Sequence, residues 1–290
     1  MTSSATTPRR VLLATDLGPD GDRALERALQ IREAWNAQLV ILHVREPEED
    51  LAPDAPRRWL REEEPLQEIR RRLRLELGDQ ADHVEILLEE GDAAKRIDET
   101  AEAAACDLIV VGAARRTPYS LLELGETLDR VLRRTVTPVL VVRGRTRGAF
   151  RQAVFATDMS EASAASHAVA VSMFPEPVYA YLYAFDAPLA GLVEDRGEFT
   201  ADAARAAEKE LEAFAMALPV HRDAGTPALV TKYGAPARTL CEHVALVGAD
   251  LVVMTASSRG LFAELLLGSV VKDALECLTS DVLLVPERQP

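Results

Sequence analysis

Cysteine is scarce in this chain of 290 residues: Cys106, Cys241 and Cys277 form an odd, scattered set. Such a set argues against a disulfide framework and fits a reducing compartment. All three are expected to be small buried hydrophobes. The five histidines are equally scattered, and no Cys, His and carboxylate cluster has metal-ligand spacing. Lysine is nearly missing, 4 residues against 29 arginines, a bias assigned to coding rather than chemistry. Positive charge is in deficit. The net charge is −14, with 23 basic and 28 acidic residues up to Arg147 and 10 and 19 after it. Two acidic halves do not present a nucleic-acid-binding surface. No apolar run approaches the length of a membrane span. Met1 to Arg10 lacks the apolar segment of a signal peptide. A soluble, cytoplasmic protein is therefore expected, with neither nucleic acid nor membrane as partner.

What the chain does have is an internal repeat. Thr15-Asp16 closes an apolar strand and Thr157-Asp158 does so 142 residues later. Gly91 matches Gly234, Asp107 to Val110 matches Asp250 to Val253, Gly125 matches Gly268, and Val139 to Val142 matches Val282 to Val285, all 143 apart. One unit has been duplicated, which divides the chain into residues 1–147 and 148–290, each long enough for a domain.

Each half alternates short apolar runs with amphipathic stretches, the pattern of a parallel α/β sheet. Strands are expected over 11–15, 39–44, 84–88, 107–112 and 138–142, then 153–157, 178–184, 228–232, 250–255 and 281–285. Helices are expected over 20–35, 61–77, 92–105 and 121–134, then 160–173, 200–217, 236–247 and 263–278. The central strands are continuous Val/Ile/Leu runs, as in sheets covered by helices on both faces. Right-handed crossovers then give two tandem, open, five-stranded, doubly wound sheets of flavodoxin-like or Rossmann-like form. Such sheets bind ligands outside the carboxyl ends of their strands. Those ends carry Asp16, Val44, Gly112, Asp158, Ala184 and Thr255. Residues 47–65 and 186–199 are expected to be lids or spacers near that edge, with Trp59-Leu60 as a possible anchor. His43 and His167 are expected to be ordinary structural residues.

The five-strand pattern with Ala-Thr-Asp at the end of the first strand resembles the universal stress protein family. Leu265-Leu266-Leu267-Gly268-Ser269-Val270 is similar to that family's phosphate turn before its last helix. The turns at Gly91-Asp92 and Gly234-Ala235-Pro236, and the strand from Asp107, are similar too. The resemblance covers nearly the whole chain, twice. It implies a sheet able to hold ATP or AMP, with Mg alongside ATP, through a Gly-x-x-Gly, nine residues, then Gly-Ser/Thr. It also implies that the last strands Val139 to Val142 and Val282 to Val285 pair, making an internal pseudo-dimer that hides two edges. A further homodimer stays open.

The two copies depart from that pattern differently. In the second half Gly268-Ser269 survives, but Thr255 and Ser258 stand where the resemblance puts glycines. In the first half Gly112 and Gly125 are kept, Arg115 replaces the middle glycine and Glu126 replaces the serine. A carboxylate facing phosphate is unfavourable, so the first half is expected to be the degenerate copy. The expected nucleotide site is thus Asp158, Ala184, Thr255, Ser258, Gly268, Ser269 and Val270, with Asp16, Val44, Gly112 and Gly125 as weaker candidates. No spacing points to a general base or nucleophile, so hydrolysis is expected to be slow at most. The competing expectation is a protein-interaction module in which both nucleotide motifs have decayed. An ATP-pyrophosphatase would need a glycine-rich loop after the first strand, and neither half has one.

Overall fold

A computed structural model of the chain describes residues 10–46, 65–113, 126–185, 196–218, 227–256 and 268–287. The first half runs β1 (Arg10–Ala14), α1 (Pro19–Trp35), β2 (Gln38–Arg45), α2 (Leu66–Leu77), β3 (Val84–Glu90), α3 (Ala93–Ala103), β4 (Leu108–Gly112), α4 (Glu126–Arg134) and β5 (Val139–Val142). The second runs β6 (Gln152–Ala156), α5 (Glu161–Met173), β7 (Val178–Phe185), α6 (Arg196–Ala217), β8 (Ala228–Tyr233), α7 (Pro236–Val247), β9 (Leu251–Ala256), α8 (Ser269–Cys277) and β10 (Asp281–Pro286). A short 3-10 turn at Gly78–His83 was not expected. Helix α6 starts at Arg196, inside the stretch assigned to a spacer. The Ala-rich run that follows supplies strong helix formers, and extending a nucleated helix is cheap. The rest of both expected lids, including Trp59-Leu60, lies outside the described residues.

The strands form one sheet in the order β3-β2-β1-β4-β5-β10-β9-β6-β7-β8. Neighbours within each half are parallel, and the halves join by one antiparallel pair, β5 with β10. Val141 faces Val282, Leu140 faces Leu283 and Val139 faces Leu284. This is the pairing expected of the last strands. It buries two strand edges at the centre and leaves β3 and β8 as the outer ones.

The continuous apolar runs are explained by two cores. Side chains alternate across a strand, so Val11 and Leu13 enter one core and Leu12 the other. The first core is roofed by α1, α2, α5 and α6, and the second by α3, α4, α7 and α8. Both cores run across β5 and β10 from one half into the other.

On the first face the halves are also tied by charge. Arg27 of α1 donates through Nε to Asp281 Oδ2 of β10 at 3.0 Å, with side chains only 5% and 2% exposed. Its guanidinium also donates to Gly148 O and lies 4.2 Å over the Phe150 ring. Asp281 Oδ1 accepts from the amides of Arg143 and Gly144. Burial pushes the Asp281 carboxyl above its ordinary range, and these donors pull against it.

Candidate functional site

The repeat is sharpest in the turns that follow β1 and β6. Thr15 Oγ1 accepts the Leu17 amide at 3.0 Å and Asp16 Oδ1 accepts the Gly18 amide at 2.8 Å. Thr157 and Asp158 do the same for the amides of Met159, at 2.9 Å, and Ser160, at 3.0 Å. These bonds hold Leu17 and Met159 at φ 59° and 61°, a left-handed conformation costing roughly 1–2 kcal/mol in a residue with a Cβ. Asp16 and Asp158 therefore each have one oxygen engaged in shaping the backbone. Gly21 lets α1 approach closely, since a Cβ there would lie 2.5 Å from Thr15 Oγ1. His43 Nδ1 donates to Thr15 O at 2.9 Å. His167 is a core residue, 2% exposed, with Nε2 2.7 Å from the Tyr181 hydroxyl. Both rings are held by bonds within the fold.

Strand order reverses between β1 and β4, which opens a crevice at their carboxyl ends. A cavity of about 290 Å³ occupies it. Its apolar walls come from Leu42, Val44 and Val111 of the sheet, Ile97 of α3, and Val131 of α4. Thr15, Asp16, Glu46 and Thr127 supply polar groups. Three of the four first-half candidates, Asp16, Val44 and Gly112, line it; Gly125 lies outside the described residues. The copy expected to be degenerate thus holds a formed cavity, whose walls come largely from strand residues and from α3 and α4.

Glu46, which directly precedes the stretch expected to be a lid or spacer, is not among the expected site residues. Its Oε1 accepts the Ala93 amide at 3.0 Å, at the start of α3. Asp92 caps the same helix, accepting the Lys95 amide at 2.8 Å and pairing with Arg130 of α4. A usable signal was position: Glu46 directly follows β2, one of the strand ends that bound the crevice.

In the second half the reversal falls between β6 and β9. Asp158 follows β6, Ala184 is near the end of β7 and Thr255 near the end of β9. Thr255 Oγ1 is buried and has no hydrogen-bond partner among the described residues. Tyr183 stands close enough to Asp158 for its charge to act: burial first, then Glu210 and Asp158, raise the phenol above its ordinary value. Ser258 lies outside the described residues. Gly268 precedes α8 at φ −52° and ψ 135° with no side-chain cap, and no acidic residue sits in the first turn. Ser269 and Val270 are exposed there. The equivalent helix α4 has Glu126 and Asp129 in its first turn.

The cysteine expectation needs correcting. Cys241 of α7 and Cys277 of α8 are joined by a disulfide, with Cα atoms 6.1 Å apart. Only the packing of α7 on α8 brings them together, and a separation of 36 residues does not disclose it. The bond removes cysteine usage as support for a reducing compartment. Cys106 is free and buried, and burial pushes its thiol up to about 11. No helix of the described residues is long and apolar enough to cross a membrane.

Comparison with known proteins follows the repeat. The family model described as the universal stress protein family matches residues 7–143 and again 149–286. A Pseudomonas aeruginosa protein of unknown function shares the fold at TM-score 0.69 and 17% identity, over 99% of this chain and 95% of its own. A putative universal stress protein from the same species gives TM-score 0.67 at 17% identity, over 97% and 94%. One from Archaeoglobus fulgidus gives 0.66 at 17% identity, over 98% and 97%. No curated protein matches the sequence.

Proposed function

The chain belongs to the universal stress protein family as two tandem copies, and from that premise we propose that it is a stress-response regulator that binds an adenine nucleotide in its second half. The nucleoside lies between the ends of β6 and β9, beside Asp158 and Thr255. The phosphates lie against Gly268 and Ser269. The observation that carries this reading is the start of α8. The amides of Ser269 and Val270 precede its first intrahelical hydrogen bond, from the Val271 amide to Gly268 O, Gly268 provides no side-chain cap, and the first turn holds no acidic residue. Such a helix end attracts anions through its dipole and amides. The buried Thr255 hydroxyl, which lacks a partner among the described residues, adds a group that a ligand would satisfy. The protein acts by binding, and no catalytic step is assigned to it.

A second reading is favoured by the places where both motifs depart from the resemblance: Thr255 and Ser258 in the second half, Arg115 and Glu126 in the first. Thr255 stands where the resemblance calls for a glycine, which serves where backbone must approach a ligand closely. On that reading both motifs have decayed and the protein contacts a protein partner. Thermal unfolding with and without millimolar Mg-ATP, and with AMP, separates the two. Ligand at a hundredfold excess over its dissociation constant stabilises the native state by roughly 2.7 kcal/mol. A rise in midpoint that Ser269→Glu abolishes is expected. No rise with either nucleotide would leave the interaction module standing.

A further inference from the structure

The two halves differ in the charge around their crevices, and we propose that the first-half cavity takes an uncharged, ring-sized molecule bearing hydroxyl or amino donors, of the nucleoside class, and discriminates against its phosphorylated form. This rests on the adenine reading above and adds a second site with its own selectivity. The cavity, at about 290 Å³, lies at the lower end of small-ligand pockets, enough for one ring system with a small polar arm. Its walls are aliphatic. The two ionisable groups among its described lining residues, Asp16 and Glu46, are both carboxylates. Among the described residues Asp16 uses only Oδ1, on the Gly18 amide, which leaves Oδ2 as an acceptor for a ligand donor.

Among the described residues, the anion-attracting features of such a crevice are already answered from within the chain. Glu46 takes the Ala93 amide and Asp92 takes the Lys95 amide, so the start of α3 carries two carboxylates. The cations around that helix start are paired as well: Arg130 of α4 with Asp92, Lys95 with Glu99, and Arg96 with Glu89 and Glu99. Helix α4 opens on Glu126, where its repeat partner α8 opens on Ser269. A phosphate entering the mouth would meet like charge from Asp16, Glu46 and Glu126. An uncharged donor would meet the carboxylate oxygens of Asp16 and Glu46 as acceptors.

Calorimetric titration of the full chain carrying Ser269→Glu, with adenosine and with AMP, tests this. The substitution puts a carboxylate at the start of α8 and leaves the first half as it is. Adenosine is expected to bind at least about tenfold tighter than AMP, the order expected of like charges a few ångströms apart at a partly solvated mouth. Asp16→Asn should weaken adenosine. Glu46→Gln keeps an acceptor for the Ala93 amide while removing the charge, and it should narrow the gap between the two ligands. AMP binding as tightly as adenosine, or adenosine binding that Ser269→Glu abolishes, would overturn the proposal. In the wild type, adenosine bound without AMP or ATP would support the first-half site and defeat the second-half nucleotide reading. Silence for adenosine and AMP alike defeats both.

Discussion

His243 lies on α7 with 8% of its surface exposed, and neither ring nitrogen has a partner among the described residues. Burial first, and then the nearby Lys232 charge, hold its imidazole below the ordinary 6.5. The charged form is therefore worse tolerated in the folded chain than in the unfolded one. The stability this group contributes is complete above pH 6.5 and is lost as the pH falls through the depressed folded value. Urea midpoints measured from about pH 8 down to about pH 5 should fall for the wild type, and His243→Leu should flatten part of that slope. Parallel slopes would assign the loss to other groups. Single residues were the least legible part of the sequence. Asp16 and Asp158 were visible as strand-end acids, but the amides they hold depend on the left-handed Leu17 and Met159. Glu46 looked like one acid among many, and only the fold brings it to the start of α3.

At the level of elements, the repeat shows two solutions to one packing problem. Helices α3 and α4 lie together as α7 and α8 do. Cys241 and Cys277 correspond, 143 residues on, to Asp98 and Arg134. In the first half burial raises the Asp98 carboxyl while a hydrogen bond from Thr135 and the Arg134 charge oppose that. In the second half a disulfide ties the same positions. Cys277→Ser should lower stability by about 2–4 kcal/mol, as expected for closing a loop of this size. Dithiothreitol should lower the wild-type urea midpoint to match, and a midpoint unmoved by reductant would show that the bond does not form in solution. Elements were also the most legible level. Every strand was expected to within two residues, because buried strands are short Val/Ile/Leu runs bounded by breakers. The 3-10 turn and the disulfide were not, since the first has no strong composition signal and the second depends on which helix faces meet.

For the whole molecule, the β5–β10 pair is reinforced by a contact that the duplication did not copy. The repeat partner of Asp281 is Pro138 and that of Arg27 is Val169. The buried Arg27–Asp281 pair is thus particular to the way these two halves meet. Asp281→Asn keeps an acceptor for the Arg143 and Gly144 amides but leaves Arg27 buried without its counter-charge, at an expected cost of about 3–5 kcal/mol. Arg27→Met combined with Asp281→Asn should cost less than Asp281→Asn alone. Equilibrium unfolding of both variants decides this, and a double variant no better than the single one would show that the pair is not coupled. The tandem architecture and the joining of last strands were legible from the repeat and the family resemblance; the ion pair was not, because it lies off the repeat's symmetry. A joint formed inside one polypeptide has consequences that a joint between separate copies lacks. A symmetric homodimer writes every substitution twice, so its two crevices must change together. Here a substitution changes one crevice and leaves the other as it was, which permits Ser269 and Glu126 to coexist at equivalent places. Nor can dilution part the halves, so their pairing does not vary with how much protein a cell contains.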